Sequence, residues 1–420
     1  MKPLWICSIS ILLAAALLAG QEASQPSQQK DSCFKCHLEL AGTPLGDPAE
    51  QFEPDVHREV GLSCADCHGG DPSAEDVEVA MSLQRGYLGA PEFKDIPEFC
   101  GRCHASAEFM RHYDPSLRID QLAEYRSSNH GQRLAQGDTQ VAVCTSCHSV
   151  HGIRRASDPL SPVYPAQVAD TCGQCHSDEE RMKPYGLATD QETLYQASAH
   201  GIAMNDKRDI SAATCNDCHG NHGAAPPGVS SVANVCGNCH GTQRNLFQQS
   251  AHGELFASLE LSACITCHNN HSIAAADEGL LAGSEGACAN CHEDDAGMEA
   301  AQQFASAIGG LTAQIEGARE ILHRAERAGM EVSGPLFDLH EAGNQVVLAR
   351  NEVHLLDLEK IQLTIAEGAK VAQASHQKGM DAFEQLDFRR QGLYVALLII
   401  GLVVAGLALW IRELERKPGE

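Results

Sequence analysis

Aromatic residues are scarce in this chain, at 5% of 420 residues, and 30 Lys and Arg stand against 56 Asp and Glu. The first shortage, with much of the 43% hydrophobic content being Ala, leaves too few large side chains for a conventional core throughout. The second gives a formal net charge of −26, which excludes nucleic acid as a partner and favours a well-solvated surface or partners with a basic patch. Spare cysteine is absent as well. Eighteen of the nineteen Cys recur in one pattern and the other, Cys7, stands in the leader, so none remains for a structural disulfide.

What is present is Cys-x-x-Cys-His, nine times between Cys33 and His292. The first five copies are Cys33/Cys36/His37, Cys64/Cys67/His68, Cys100/Cys103/His104, Cys144/Cys147/His148 and Cys172/Cys175/His176. Four more follow at Cys215/Cys218/His219, Cys236/Cys239/His240, Cys264/Cys267/His268 and Cys288/Cys291/His292. This spacing is the attachment signature of c-type haem: two thiols add across the vinyl groups, and the adjoining imidazole reaches the iron as proximal ligand. Zinc knuckles, redox dithiols and disulfides need no histidine at that place. Here every CxxC is followed by one, although His supplies only 21 of 420 residues. The count implies nine haem c groups. The stretch of 260 residues leaves about 29 per haem, too few for separate side-chain cores, so the porphyrins themselves are expected to form the core. The expected fold class is therefore mainly α with much irregular structure.

Taken in order, residues 1–20 read as a signal peptide, with Lys2 before an apolar run from Ile6 to Ala19, and residues 21–31 as a Gln- and Ser-rich linker. The nine-haem domain is expected over 32–296, as one haem followed by four two-haem repeats. Three repeats open on His130-Gly131, His200-Gly201 and His252-Gly253, continue to CTSCHSVHG, CNDCHGNHG and CITCHNNHS, and close on a bare CxxCH. An earlier, degraded copy carries His57 and CADCHGG. Seven histidines thus recur in register outside the motifs: His57, His130, His200 and His252 upstream, and His151, His222 and His271 three residues after a proximal His. They are expected as distal iron ligands, because a six-coordinate haem takes a second imidazole. Spacing of three suggests two imidazoles on one side of a helical turn, so the second should serve a neighbouring haem. His112 lies where the matching segment has Lys183, and reads as surface.

Beyond 296 the pattern changes. Phe304, Ile308, Leu311, Ile315, Leu322 and Ala325 recur at helical spacing, Gly329 to Pro335 breaks the helix, and a second carries Leu336, Leu339, Val346, Val353, Leu356 and Ile361, with Gly368 a possible interruption. Residues 297–390 are expected to form a helical hairpin or small bundle. Nine irons and seven recurring ligands leave two partners to find. His354, in an apolar stretch, is the first choice, with His340, His376 and His323 weaker. Residues 393–411 hold no charge for nineteen positions, with Tyr394 and Trp410 near the ends, and read as a transmembrane helix before a cytoplasmic tail at 412–420.

With these motifs in place, residues 33–292 resemble the periplasmic multihaem cytochromes c, the class that contains the cytochromes c3 and the decahaem conduits. The resemblance implies a chain of closely spaced, mostly bis-imidazole haems that relays electrons. The leader and the apolar C-terminal run add a C-terminal single-pass anchor and the periplasmic face of the cytoplasmic membrane. The expected partners are a quinol-oxidising membrane complex and another cytochrome or terminal reductase. The alternative is an oxidoreductase of the hydroxylamine oxidoreductase or nitrite reductase type, with one open catalytic haem. Against it stand the lack of any CxxCK and, after the haem region, the lack of any tyrosine except Tyr394.

Overall fold

The computed structural model describes residues 31–223, 232–283, 286–293 and 295–416. The leader, all of the linker but Asp31 and the last four residues of the tail lie outside these. Helices, 3-10 turns and irregular loops make up the described residues, with no strand among them. Two compact units result, residues 1–184 with 220–224, and residues 185–219 with 225–420.

The CxxCH motifs adopt two main forms. Two of them close the nine-residue helices Ile96–His104 and Val168–His176. Three others are single turns, Cys64–His68, Cys144–His148 and Cys215–His219. Such turns are too short to hold themselves, and a side chain inside the motif caps each one. Asp66 Oδ2 accepts from Ser63 N at 2.6 Å, Ser146 Oγ from Val143 N at 3.0 Å, and Asp217 Oδ2 from Thr214 N at 2.8 Å. Directly after the proximal histidine the backbone switches to positive φ, at Gly69 (φ 69°), Ser149 (69°), Gly220 (74°) and Asn269 (62°). The histidine three residues on is therefore outside the helix. Spacing of three does not stack the two imidazoles on one helical face, because the turn ends between them.

The segments before the upstream histidines are built alike. Helix Gln121–Ser127 runs into Asn129–Ala135, Gln191–Gln196 into Ala199–Asn205, and Gly241–Gln249 into Ala251–Ser258. A buried serine separates each pair. Ser128 Oγ donates to Tyr125 O at 2.6 Å and accepts from Gly131 N at 3.1 Å; Ser250 Oγ donates to Phe247 O at 2.7 Å. The glycine is needed for packing rather than for its dihedrals. A Cβ at Gly131 would stand 2.0 Å from Tyr125 O, and one at Gly201 2.1 Å from Tyr195 O. The tyrosines then reach the loop before the next motif, Tyr125 Oη donating to Ala142 O at 2.8 Å and Tyr195 Oη to Ala213 O at 3.1 Å. Side-chain clusters in this part are small, as the shortage of aromatics implies; one consists of Leu134, Val141 and Val143 with Ile96 and Tyr125.

A conventional core appears only in the helical segment. Helices Ala296–Arg327, Ser333–Glu352 and Leu358–Arg416 form a three-helix bundle. Ile308, Leu311, Leu322, Leu339 and Ile361 are fully buried along its axis. The second break falls at 353–357, not at Gly368. Val353–Leu355 form a 3-10 turn, Leu356 is left-handed (φ 58°), and Asp357 caps the next helix by accepting from Lys360 N at 3.1 Å. Gly368 stays helical, and Leu311 packs where its Cβ would be, at 2.6 Å. Burial on the third helix ends near Ala382, and Leu393 to Ile411 is exposed on every side. That helix is long and apolar enough to cross a membrane.

Candidate haem-binding sites

Eight of the nine motif histidines face a second imidazole within their own unit. In the first unit His57 faces His104 at 5.9 Å between ring centroids, His151 faces His68 at 6.1 Å, His130 faces His176 at 6.2 Å and His222 faces His148 at 6.1 Å. In the second unit His271 faces His219 at 5.9 Å, His200 faces His240 at 6.1 Å, His252 faces His292 at 6.0 Å and His354 faces His268 at 6.0 Å. Two imidazoles sharing one metal, each about 2 Å from it and with ring centres about 1.1 Å behind the nitrogen, would have centroids about 6.2 Å apart. The residues present therefore fit an iron held between each pair, beside two thiols for the porphyrin.

Hydrogen bonds set the ring orientation at several positions. Nδ1 of His68 donates to Gly89 O at 2.9 Å, that of His354 to Asn351 O at 3.0 Å and that of His292 to Asp295 Oδ2 at 2.9 Å. Each leaves Nε2 for a metal. Burial pushes the imidazoles of His104, His130, His176 and His268 below their ordinary values, and that of His148 to about 4. The rings are thereby kept in the neutral, metal-binding form.

Cysteines of consecutive motifs are neighbours. Burial raises the Cys64 thiol to about 12, with Asp31 and then Cys33 adding to it. Burial likewise raises Cys67, Cys147, Cys218 and Cys267, and after burial the largest influences are Cys103, Cys175, Cys236 and Cys288 respectively. Cys100 and Cys144 share a hydrogen bond, as do Cys236 and Cys264. The first unit thus links its five motifs in sequence order, and the second unit links its four.

The chain's own side chains leave three of the motif thiols uncovered. Cys36, Cys239 and Cys291 are exposed, whereas the other fifteen motif cysteines are partly buried. Each is the second thiol of its motif, and the local structure explains the exposure. Helix Ser32–Leu38, which carries Cys36, buries none of its residues. Cys239 and Cys291 directly follow the 3-10 turns Val232–Asn238 and Ala287–Asn290 instead of standing inside an α-helix. The chain's own side chains therefore cover the first sulfur of these motifs better than the second.

The remaining histidines stand elsewhere. His37 donates through Nδ1 to Leu45 O at 2.6 Å, and among the described residues no second imidazole faces it. His112 is exposed beside Tyr113. His323, His340 and His376 are exposed on the bundle, His323 beside Glu326 and His340 beside Phe337. Sequence reasoning misses Asp55 and the buried serines Ser128, Ser198 and Ser250. All four stand two residues before an upstream histidine, so the register of the repeat held the signal.

Comparison with known proteins agrees with these observations. Residues 56–177 match the family model for cytochrome c3. The chain is also 22% identical over 237 residues to the multihaem cytochrome MtrA of Shewanella baltica (strain OS185), covering 53% of this chain and 56% of that relative. The match thus spans little more than half the relative's length. No solved structure matches the chain. Together with the nine motifs, these likenesses support a multihaem c-type cytochrome with haem c as cofactor.

Proposed function

We propose that the chain is a nonahaem electron relay, anchored by its C-terminal helix to the outer face of the cytoplasmic membrane. The observation that carries this reading is the set of eight imidazole pairs, four in each unit, whose motif cysteines neighbour one another in sequence order within that unit. In this reading Cys33, Cys64, Cys100, Cys144, Cys172, Cys215, Cys236, Cys264 and Cys288, each with its second thiol, hold nine haems. His57, His130, His151, His200, His222, His252, His271 and His354 complete eight irons opposite the motif histidines. Haem c, once bound, supplies an iron that passes between Fe(III) and Fe(II). The chain's own residues would hold neighbouring groups close together within each unit, keep the imidazoles neutral, and surround them with acidic charge that favours the ferric form. Low potentials follow for most of the haems.

The exposed apolar run at Leu393–Ile411 supports the anchor. The span carries no histidine to hold a haem of its own. Electrons are therefore expected from a quinol-oxidising membrane complex and to leave for another cytochrome or a terminal reductase. The test uses oxidised membranes that hold the full-length protein and its partner. Adding a quinol should reduce the c-type absorbance, and removal of residues 389–420 should abolish that response while dithionite still reduces every haem. A quinol that leaves the haems oxidised in the intact membranes would remove the quinol-linked role.

One observation favours a second reading, catalysis at an open haem. His37 alone among the motif histidines faces no other imidazole among the described residues. A high-spin band in the oxidised protein that shifts with cyanide or nitrite, and disappears in Cys33→Ala/Cys36→Ala, would support it. Purely low-spin spectra would leave the relay alone.

A further inference from the structure

The upstream histidines share one local frame except at one residue. The sequences are Ser128-Asn129-His130, Ser198-Ala199-His200 and Ser250-Ala251-His252, against Asp55-Val56-His57. Each first residue precedes a short helix and is almost fully buried, Asp55 to 1% exposure. The backbone around two of the frames is also equivalent. Val56 N donates to Ile153 O at 2.8 Å, two residues past His151, just as Ala199 N donates to Ile273 O at 2.8 Å, two residues past His271.

Only the first frame places a carboxylate there, and all its contacts are to this site. Asp55 Oδ1 accepts from His57 N at 2.8 Å and from His57 Nδ1 at 2.9 Å, while Oδ2 accepts from Ile153 N at 2.8 Å. A buried carboxylate without such partners would be costly, and here both oxygens are satisfied. One side chain therefore holds the ring that faces His104 and the loop that carries His151, which faces His68.

We propose that Asp55 is a positioning residue that makes the haem attached at Cys100 and Cys103 lower in potential than its counterpart at Cys236 and Cys239, where Ser198 stands in its place. This rests on the axial roles proposed for His57 and His104. A carboxylate that accepts the Nδ1 proton makes Nε2 a stronger donor, and a stronger donor stabilises Fe(III) over Fe(II). Serine in the same frame caps the helix but offers the ring no negative charge.

The test is a potentiometric titration of the full-length holoprotein and of Asp55→Ser, Asp55→Asn and Ser198→Asp. The Asp55 variants should keep nine haems by intact mass and raise one midpoint by about tenfold in the Fe(III)/Fe(II) equilibrium, about 59 mV for one electron. Ser198→Asp should lower one midpoint by a similar factor. A mere helix cap would leave all nine midpoints unchanged in the three variants, and that result overturns the proposal. Should the Asp55 variants lose haem, Ser198→Asp decides alone, since it acts on the other unit. The underlying relay reading fails separately, if wild-type protein shows fewer than eight low-spin bis-imidazole haems.

Discussion

At the residue scale, histidine chemistry depends on what holds the far nitrogen. His354 illustrates it: its Nδ1 donates to Asn351 O, and Asn351 is itself tied to Gln243 by a 2.8 Å hydrogen bond from Gln243 Nε2. The bundle thereby presents an imidazole to His268. Replacing His354 with Ala should convert about one haem in nine from low-spin to high-spin, as read by electron paramagnetic resonance, with the rest unchanged. An unchanged spectrum would mean that His354 is a packing residue only. His354 could be singled out in the sequence by its apolar surroundings. His323, His340 and His376 could not be set aside there, because their exposure follows from where the bundle turns, which periodicity fixes only to within a few residues. Asp55 was hidden for another reason: in a degraded repeat, a serine-to-aspartate change looks like noise until its two oxygens are seen to be shared between two histidine-bearing segments.

At the scale of elements, glycines separate packing needs from helix propensity. Gly201→Ala would press a methyl group to 2.1 Å from Tyr195 O, so the helix Ala199–Asn205 must shift and carry His200 with it. A loss of about 1–3 kcal/mol in denaturant unfolding is expected, together with a loss of low-spin signal. Gly310→Ala is the contrast. It lies on the exposed side of Ala296–Arg327 with nothing near its Cβ, and should stabilise the bundle by about 0.4–1 kcal/mol. Leu311→Ala, fully buried, should cost about 2–5 kcal/mol.

The turn Glu278–Leu280 meets the bundle through Glu278 and Arg350 at 2.9 Å. Burial alone would raise the Glu278 carboxyl, but the hydrogen bond and charge of Arg350 outweigh it and the net shift is downward from 4.5. The stabilisation is therefore complete above pH 4.5 and is lost as the pH falls through the depressed folded value. Arg350→Ala should weaken that acid-side dependence and cost less than about 1 kcal/mol at neutral pH, since both groups are partly solvated.

For the whole molecule, the motifs announced the cofactor and the helical periodicity announced the bundle, while the pairing of histidines required the fold. Spacing of three suggested that His151, His222 and His271 serve neighbouring groups, yet the actual partners depend on loops such as the one after His151, held where Val56 N donates to Ile153 O. The exposed apolar run Leu393–Ile411 of helix Leu358–Arg416 carries a separate prediction. The full chain should sediment with membranes, and a chain ending at Phe388 should be released in soluble form with its haems intact. Release of the full-length protein by a simple salt wash would argue against a spanning anchor.

The central claim is that paired imidazoles clamp eight irons, four in each unit. Near-infrared magnetic circular dichroism of the oxidised, full-length protein tests it most directly, because the charge-transfer band reports the axial ligands of each low-spin haem. The account predicts eight bis-imidazole haems per chain of nine; a spectrum with substantially fewer, or with none, would contradict it.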